Sequence, residues 1–268
     1  MTADRPPLDR FASGASRSGA SRSGASTLIV LPTYNEAESI RGVLARIRVA
    51  VPEADVLIVD DASPDGTGRI ADELAADDPG VRVLHRPGKN GLGSAYLAGF
   101  ARAAREGYRF VVEIDADGSH DPAELPSMIA LADAESADLV IGSRWVPGGA
   151  IVNWPGVRRA ISRGGNRYAR GMLRSRIQDL TAGFRVYRTA ALTGLDGSVV
   201  SSHGYCFQVE LAWRIERRGG RVLEHPIAFV ERATGRSKMH AGIVGEALWR
   251  VTAWGVALRL GRGPLPSA

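Results

Sequence analysis

The feature that most limits the fold of this chain is a regular alternation of short apolar runs with helical segments. The runs at 28–31, 56–59, 81–84 and 111–114 are rich in apolar and β-branched residues, and the segments between the first three have apolar residues at helical spacing. Strands that alternate with helices form parallel sheets with right-handed crossovers. The sequence therefore predicts an α/β fold, with helices flanking a Rossmann-like, mostly parallel sheet.

Two of the predicted strands end in pairs of acidic residues. Asp60 and Asp61 follow the second strand, and Asp115 and Asp117 follow the fourth. Since ligands of such sheets bind at the carboxyl ends of the strands, we expect both pairs at one edge. Side chains at i and i+2 of an extended chain share a face, so a hard divalent cation would relieve the repulsion between Asp115 and Asp117. This pattern predicts a metal site; a solvated Asp-x-Asp loop is the alternative.

Three strand-end residues are candidates for binding a ligand, and two of them have a structural alternative. Asp61 suits a hydrogen bond to a nucleotide base or ribose, whereas Asp60 suits that role and helix capping equally. Arg144 follows a further predicted strand at 138–142. Its planar guanidinium can grip a phosphate or pair with a carboxylate.

Charge and composition narrow the class of ligand. The chain has 268 residues, 34 of them Lys or Arg and 29 Asp or Glu, which gives a formal net charge of +5. Basic clusters at 158–176 and 214–221 suit anionic partners. Because no zinc finger or aromatic-interleaved RNA motif is present, we expect a small phosphorylated ligand and a membrane surface, not nucleic acid. The single cysteine, Cys206, excludes an intrachain disulfide and is predicted to be a small buried hydrophobe.

Three regions follow one another along the chain. Residues 1–26 are rich in Gly, Ser and Arg and lack an apolar signal segment, so they are predicted to be a disordered tail on a cytoplasmic protein. Residues 27–240 are predicted to form the folded domain. Residues 241–268 are predicted to form an amphipathic helix and a tail, in which charged residues interrupt the apolar run well short of the ~20 residues of a spanning helix.

Two helices are predicted to lie at a membrane surface, since arginine or tryptophan beside an apolar face is typical of interfacial helices. In the helix at 160–173 and its preceding turn, a cationic stripe runs beside Ile161 and Tyr168; the stripe comprises Arg159, Arg163, Arg167 and Arg170. The C-terminal helix has an apolar stripe of Ile243, Ala247, Trp254 and Leu258. The alternatives are a solvated basic face for the first helix and packing on the protein's own core for the second.

Separated motifs over 28–247 resemble those of the family 2 glycosyltransferases of the GT-A fold, and among them the polyprenol-phosphate (dolichol-phosphate) mannose synthases. The motifs occur in the same order as in that family. They are Pro-Thr-Tyr-Asn-Glu at 32–36, Asp-Asp-x-Ser-Pro-Asp-Gly-Thr at 60–67, Arg86 with Gly-Leu-Gly at 91–93, Asp-Ala-Asp-x-Ser-His at 115–120, Gly-Ser-Arg at 142–144, Ile-Ser-Arg-Gly-x-Asn at 161–166, the stretch 179–188, Gly-Tyr-x-Phe-Gln-x-Glu at 204–210, and Arg232 with Gly-Arg-Ser-Lys at 235–238.

The resemblance implies an activity and its partners. Mannose would be transferred from GDP-mannose to a polyprenyl phosphate, with inversion at the sugar carbon and with Mg²⁺ or Mn²⁺ as cofactor. The product, polyprenyl-phosphate mannose, would serve lipid-linked glycan synthesis or protein mannosylation. The enzyme would be peripheral on the cytoplasmic face of the membrane, with a membrane-anchoring protein as a further candidate partner. The alternatives are a UDP-sugar-dependent polyprenyl-phosphate glycosyltransferase and a non-catalytic subunit that binds nucleotide sugars.

The resemblance also implies roles for individual residues. Asp117 and Arg144 are the expected catalytic residues. Those expected to hold guanosine are Pro32, Tyr34, Glu36, Val59 and Asp61. Those expected at the donor sugar and phosphates are Ala116, Asp117, Arg144, Arg232 and Lys238. Asp115, Asp117 and Ser119 are expected to hold the metal, and Arg158 and Ser162 to contact the acceptor. Some relatives have Gln where this chain has Ser119, whose shorter side chain would reach a metal through water.

Overall fold

A computed structural model describes residues 26–195, 206–231 and 241–261. The strands in these ranges are β1 (Thr27–Thr33), β2 (Asp55–Asp60), β3 (Val81–His85), β4 (Phe110–Glu113), β5 (Leu139–Ser143), β6 (Ala150–Val152), β7 (Arg185–Arg188), β8 (Val222–Pro226) and β9 (Ala228–Val230). The α-helices are α1 (Ile40–Ala50), α2 (Thr67–Asp77), α3 (Leu92–Glu106), α4 (Leu125–Ala134), α5 (Gly156–Leu173), α6 (Cys206–Arg217) and α7 (Ala241–Arg259). Most of the tail predicted at 1–26 lies outside the described residues.

The main sheet has the strand order β3-β2-β1-β4-β7-β5-β8. All its neighbouring strands are parallel except β7, which runs antiparallel to both β4 and β5. The chain continues from β1 to β2 on one side and returns to β4 on the other, so the strand order reverses beside β1. Ligands bind at such a switch point in open α/β sheets. The predicted Rossmann-like, mostly parallel sheet of a GT-A fold is confirmed.

Both faces of the sheet are buried. Alternate residues of a strand point to opposite faces, so Leu28 and Val30 of β1 belong to one apolar cluster, and Ile29 and Leu31 to the other. The first cluster joins the sheet to α3, α5, α6 and α7, and the second joins it to α1, α2 and α4. Cys206 belongs to the core, as predicted, with 1% of its surface exposed. This double burial explains why the strands are continuous apolar runs.

Two local predictions differ from the structure. Asn35 is of a residue type that often caps helices, which would start the first helix directly after it, but α1 begins at Ile40, and Asn35 has a left-handed backbone with φ of 58°. The glycines and prolines of the segment 147–159 predict a long loop before the helix at 160–173. The segment contains β6, and α5 begins at Gly156. A three-residue strand such as β6 is too short to show alternation, and its parallel partner β9 is distant in the sequence.

Helix α7 packs against α5 and α6 with a face that includes Trp254 of the stripe predicted to face lipid. The Tyr168 and Thr252 hydroxyls are 2.6 Å apart, and the Trp254 ring stacks on Trp213 with centroids 5.8 Å apart. Trp254 was expected to face the lipid, and that prediction is wrong because α7 has apolar residues on more than one side. The exposed apolar side chains of its described part are Leu248, Trp249, Val256 and Leu260. No helix in the described ranges is long and apolar enough to span a bilayer.

Candidate functional site

The acidic segment after β4 turns at the carboxyl edge of the sheet. Gly118 makes the turn possible with φ of 75°, a left-handed conformation that suits glycine. Both Asp115 and Asp117 are half-buried. The Ser119 backbone N–H donates to Asp117 at 3.0 Å, and the Tyr96 hydroxyl donates to Asp115 at 3.2 Å. Burial, followed by the charge of Asp115, raises the pKa of Tyr96 well above its usual value, so this hydroxyl keeps its proton.

A cavity of about 500 Å³ lies against this acidic segment. Some of the cavity walls are polar and lie near the sheet edge; others are apolar and belong to α5 and α7. The polar lining residues include Asp115, Asp117, His120, Arg144, Arg158, Ser162, Thr181 and Gln208. The apolar lining residues of the two helices include Val157, Ile161, Ala169, Ala247, Leu248 and Val251. The structure thus joins a pair of carboxylates and several cations to a surface suited to an apolar chain.

Arg144 forms a buried ion pair with Asp179. Its Nε and Nη2 donate to the two carboxylate oxygens at 2.7 Å each, and its backbone N–H donates to the same carboxylate at 3.0 Å. Burial on its own raises the pKa of Asp179, but Arg144 lowers it, and the net direction is down. Pairing with a carboxylate, one of the two interpretations of Arg144 from the sequence, is therefore confirmed. Arg144 still lines the cavity, where its Nη1 makes no hydrogen bond with any described residue.

The two acids at the end of β2 have different partners. Asp60 is used locally, because its carboxylate accepts from the Ser63 hydroxyl at 2.6 Å and the Ser63 backbone N–H at 3.2 Å. Asp61 accepts from Arg86 Nη1 at 2.8 Å, and Arg86 Nη2 donates to Ser94 at 2.7 Å. Burial raises the pKa of Asp61, while the charge of Arg86 opposes that shift. The local role of Asp60 resembles the capping interpretation; the nucleotide contact of Asp61 stays a prediction.

The other residues expected around guanosine lie near the same sheet edge, outside the cavity lining. Tyr34 is half-buried, and Lys89 Nζ lies 4.1 Å from the centre of its ring. Glu36 accepts from the Ser39 hydroxyl at 3.1 Å. Pro32 pairs in register with Val59, whose side chain is fully buried in the core. Any ligand contact of Val59 would therefore have to use its backbone.

The expected acceptor residues lie in the cavity wall, and some other site candidates do not. Arg158 forms an ion pair with Glu231, and its guanidinium lies 4.2 Å from the centre of the Trp154 ring. Ser162 lines the cavity, and its carbonyl accepts from the Asn166 side chain at 3.1 Å. Ala116 and Ser119 are buried and are not part of the lining. Arg232 and Lys238 lie outside the described residues.

Sequence reasoning assigned no role to four residues that the structure places at the site. Asp179 orients Arg144, and His120, Gly183 and Gln208 line the cavity. The signal that pointed to all four was their position inside motifs of the resemblance, at 115–120, 179–188 and 204–210. Their roles depend on contacts between distant parts of the chain, which no local pattern reports.

The carboxylates at this site fit a hard divalent cation. Asp115 and Asp117 stand on one cavity wall and offer oxygen atoms, the donors that Mg²⁺ and Mn²⁺ prefer. Within the described ranges, no group of three or more His, Cys, Asp and Glu side chains is arranged to hold a metal ion. A cation held by only one or two carboxylates takes its remaining ligands from water and phosphate, as Mg²⁺ commonly does.

The chain is similar in sequence to two mannosyl-transferring proteins. It is 55% identical to the undecaprenyl-phosphate mannosyltransferase of Micrococcus luteus over 232 residues, which covers 87% of this chain and 95% of the relative. It is 50% identical to the polyprenol monophosphomannose synthase of Mycolicibacterium smegmatis over 237 residues, which covers 88% and 89% of the two chains. The resemblance noted from the motifs is confirmed.

Solved structures and a family model agree on the fold. A glucosyl-3-phosphoglycerate synthase from Mycobacterium tuberculosis in complex with UDP aligns with a TM-score of 0.61 at 21% identity, covering 91% of this chain and 82% of that one. The mannosyltransferase PcManGT from Pyrobaculum calidifontis, in complex with GDP-Man and Mn²⁺, aligns with a TM-score of 0.55 at 18% identity, covering 90% and 76%. The model "Glycosyl transferase family 2" matches residues 28–195. This chain belongs to glycosyltransferase family 2.

Proposed function

We propose that this protein transfers mannose from GDP-mannose to the phosphate of a polyprenol, with inversion at the sugar carbon and with Mg²⁺ or Mn²⁺ bound at Asp115 and Asp117. The observation that carries the proposal is the shared cavity, in which these two carboxylates and the apolar side chains of α5 and α7 form walls of one space. A water-soluble sugar nucleotide and a lipid phosphate could meet there.

The names of similar proteins support the choice of substrates. The relatives from Micrococcus luteus and Mycolicibacterium smegmatis are both named for mannose and a polyprenyl phosphate. The Pyrobaculum mannosyltransferase of similar fold was solved with GDP-Man and Mn²⁺. Asp115 and Asp117 suit a cation that would offset the negative charge of the departing GDP.

The chain's own residues suit the handling of two anionic substrates. Arg144 is held by Asp179, so its Nη1 can donate to a phosphate oxygen without a large loss of side-chain entropy. Arg158 and Ser162 stand in the same cavity beside Ile161, where an acceptor phosphate would sit at the start of its apolar chain. Arg232 and Lys238 are further candidates for binding phosphate.

The reaction itself needs little from the protein by way of proton transfer. A phosphate oxygen of the acceptor forms a bond to C1 of mannose as the bond from C1 to the GDP oxygen breaks. The acceptor is already mostly anionic near neutral pH, because the second pKa of a phosphate monoester is about 6. We therefore assign no general base. The residues of the cavity contribute by bringing the two anions together in a fixed orientation.

Access to a lipid substrate suggests that the protein acts at a membrane surface. Exposed apolar side chains lie on both helices that line the cavity, with Val157 and Ile161 on α5 and Leu248 and Trp249 on α7. Arg163 and Arg167 are exposed on α5 and suit anionic headgroups. The proposal places the protein peripherally on the cytoplasmic face, with or without a separate anchoring protein.

The test is product analysis with the purified full-length chain. Radiolabelled GDP-mannose, a polyprenyl phosphate in detergent and Mn²⁺ or Mg²⁺ should give a labelled lipid that mild acid hydrolyses to mannose. EDTA should stop its formation. A product formed from UDP-glucose and not from GDP-mannose would support the UDP-sugar alternative. Binding of GDP without transfer to any lipid would support a non-catalytic subunit.

Asp117→Asn is the variant that tests the metal assignment. Loss of the charged carboxylate should lower transfer by at least about 100-fold, because the leaving diphosphate loses its counter-charge. Mn²⁺ should also raise the affinity of this variant for GDP less than it raises that of the wild type, which calorimetry with and without Mn²⁺ would measure. Asp133→Asn removes a comparable charge from an exposed ion pair and serves as the control. Wild-type turnover by Asp117→Asn would contradict the assignment.

A further inference from the structure

Two buried polar side chains in the cavity wall have no role in the reaction as described above. His120 is 4% exposed and Gln208 is 1% exposed. Neither His120 Nδ1 nor Gln208 Oε1 has a hydrogen-bond partner among the described residues. Leaving a buried polar atom unpaired costs about 1–3 kcal/mol, so such atoms call for an explanation, and a ligand is one.

Both side chains face the space in front of Gly183. A Cβ atom placed on Gly183 would lie 3.8 Å from His120 Cε1, 3.8 Å from Gln208 Nε2 and 3.4 Å from Asp115 Oδ2. Cε1 is bonded to both ring nitrogens, so the polar edge of the imidazole is turned toward this space. Because residue 183 has no side chain, the space belongs to the cavity, which all four residues line.

The orientation of His120 is set by its aromatic neighbours. Its ring stacks on Phe184 with centroids 5.2 Å apart, and Phe229 meets it edge-on at 5.4 Å. An uncharged imidazole has one nitrogen that donates a hydrogen bond and one that accepts.

The chemistry of these groups favours a ligand rich in hydroxyl groups. A neutral imidazole and a carboxamide each donate and accept hydrogen bonds, and so does a sugar hydroxyl. A phosphate group, by contrast, only accepts and is bound best by cations. The apolar side chains that would suit a lipid chain belong to α5 and α7, whereas this space lies next to Asp115.

We propose that His120, Gln208 and the space in front of Gly183 bind the transferred hexose and select it by hydrogen bonds to its hydroxyls. The inference rests on the proposed function, because it places the sugar between the metal-binding carboxylates and the acceptor. A site that hydrogen-bonds a particular hydroxyl discriminates against an epimer that moves it, since the buried partners are then left unpaired. His120 and Gln208 would thus determine which sugar is transferred.

The test compares binding of GDP with turnover of two donors, for His120→Ala, Gln208→Leu and Gly183→Ala. The Cβ of Gly183→Ala would meet its neighbours at ordinary contact distances, so this variant should fold while filling the sugar space. In each variant GDP affinity, measured by calorimetry with Mn²⁺, should stay within about twofold, while kcat/KM for GDP-mannose falls about tenfold or more. For His120→Ala and Gln208→Leu, the preference for GDP-mannose over GDP-glucose should also shrink.

The control is His225→Asn, which changes a histidine paired with Glu124 away from this space and should leave both donors unaffected. Variants that keep wild-type kcat/KM and donor preference would overturn the inference. So would an equal loss of GDP affinity, because it would mean that the residues support the nucleotide or metal site. If the wild-type chain transfers no mannose at all, the proposed function fails and this inference with it; an active wild type with unchanged variants removes only the sugar site.

Discussion

At the residue scale, the Arg144–Asp179 pair holds the cationic side of the cavity in place. Asp179 is fully buried, and Arg144 is 8% exposed, so removing one partner leaves the other charge uncompensated. We expect Asp179→Asn to lower the free energy of unfolding by about 3–5 kcal/mol in urea denaturation. The exposed Arg109–Asp133 pair provides the control, because Asp133→Asn should cost less than about 1 kcal/mol. Equal effects of the two variants would contradict the buried pairing.

The same pair predicts how stability depends on pH. The pKa of Asp179 is lower in the folded state than its unfolded value of about 3.9, so its contribution is complete above that pH. As the pH falls below about 3.9 and through the folded pKa, this contribution is lost. The difference in stability between the wild type and Asp179→Asn should therefore shrink in acid, which urea titrations between about pH 7 and pH 3 would measure.

At the scale of elements, α3 lies unusually close to β1. A Cβ on Gly99 would come within 2.6 Å of both γ-methyl carbons of Val30, a distance that real side chains do not reach. We expect Gly99→Ala to destabilise the protein by about 1–3 kcal/mol, because α3 would have to move away from the sheet. Gly164, in the middle of α5, has no neighbour within 4 Å of such an atom. Gly164→Ala should instead stabilise by about 0.5–1 kcal/mol, and a neutral Gly99→Ala would contradict the close packing.

At the scale of the whole molecule, α5 and α7 both line the apolar part of the cavity and expose apolar side chains to solvent. Trp249 is 74% exposed and Ile161 is 56% exposed, and both lie on helices that line the cavity. We expect Trp249→Glu and Ile161→Glu each to weaken binding to phosphatidylglycerol vesicles about tenfold, because burial of apolar surface in lipid is lost. Cosedimentation would measure the change. Val49, 86% exposed on α1, provides the control. A similar loss with Val49→Glu would contradict the prediction that α5 and α7 bind the vesicle surface.

Local patterns in the sequence were sufficient for the first four strands and for the position of the acids. Four successive apolar runs predicted β1 to β4, because buried parallel strands need apolar residues on both faces. Asp115 and Asp117 could be placed at the sheet edge since the carboxyl ends of parallel strands meet there. The motifs spread along the chain identified the family, as the comparisons confirmed.

Contacts between distant residues were settled only by the folded structure. Periodicity showed that α7 is apolar but not which of its sides packs on Trp213, because the answer depends on the shape of the neighbouring helices. Arg144 was placed at a strand end with two candidate partners, and only the chain path brings Asp179 to it. His120, Gly183 and Gln208 belong to three separate segments of the chain, which the fold brings together. A local pattern reports the period of one segment, whereas a binding site is made where several segments converge.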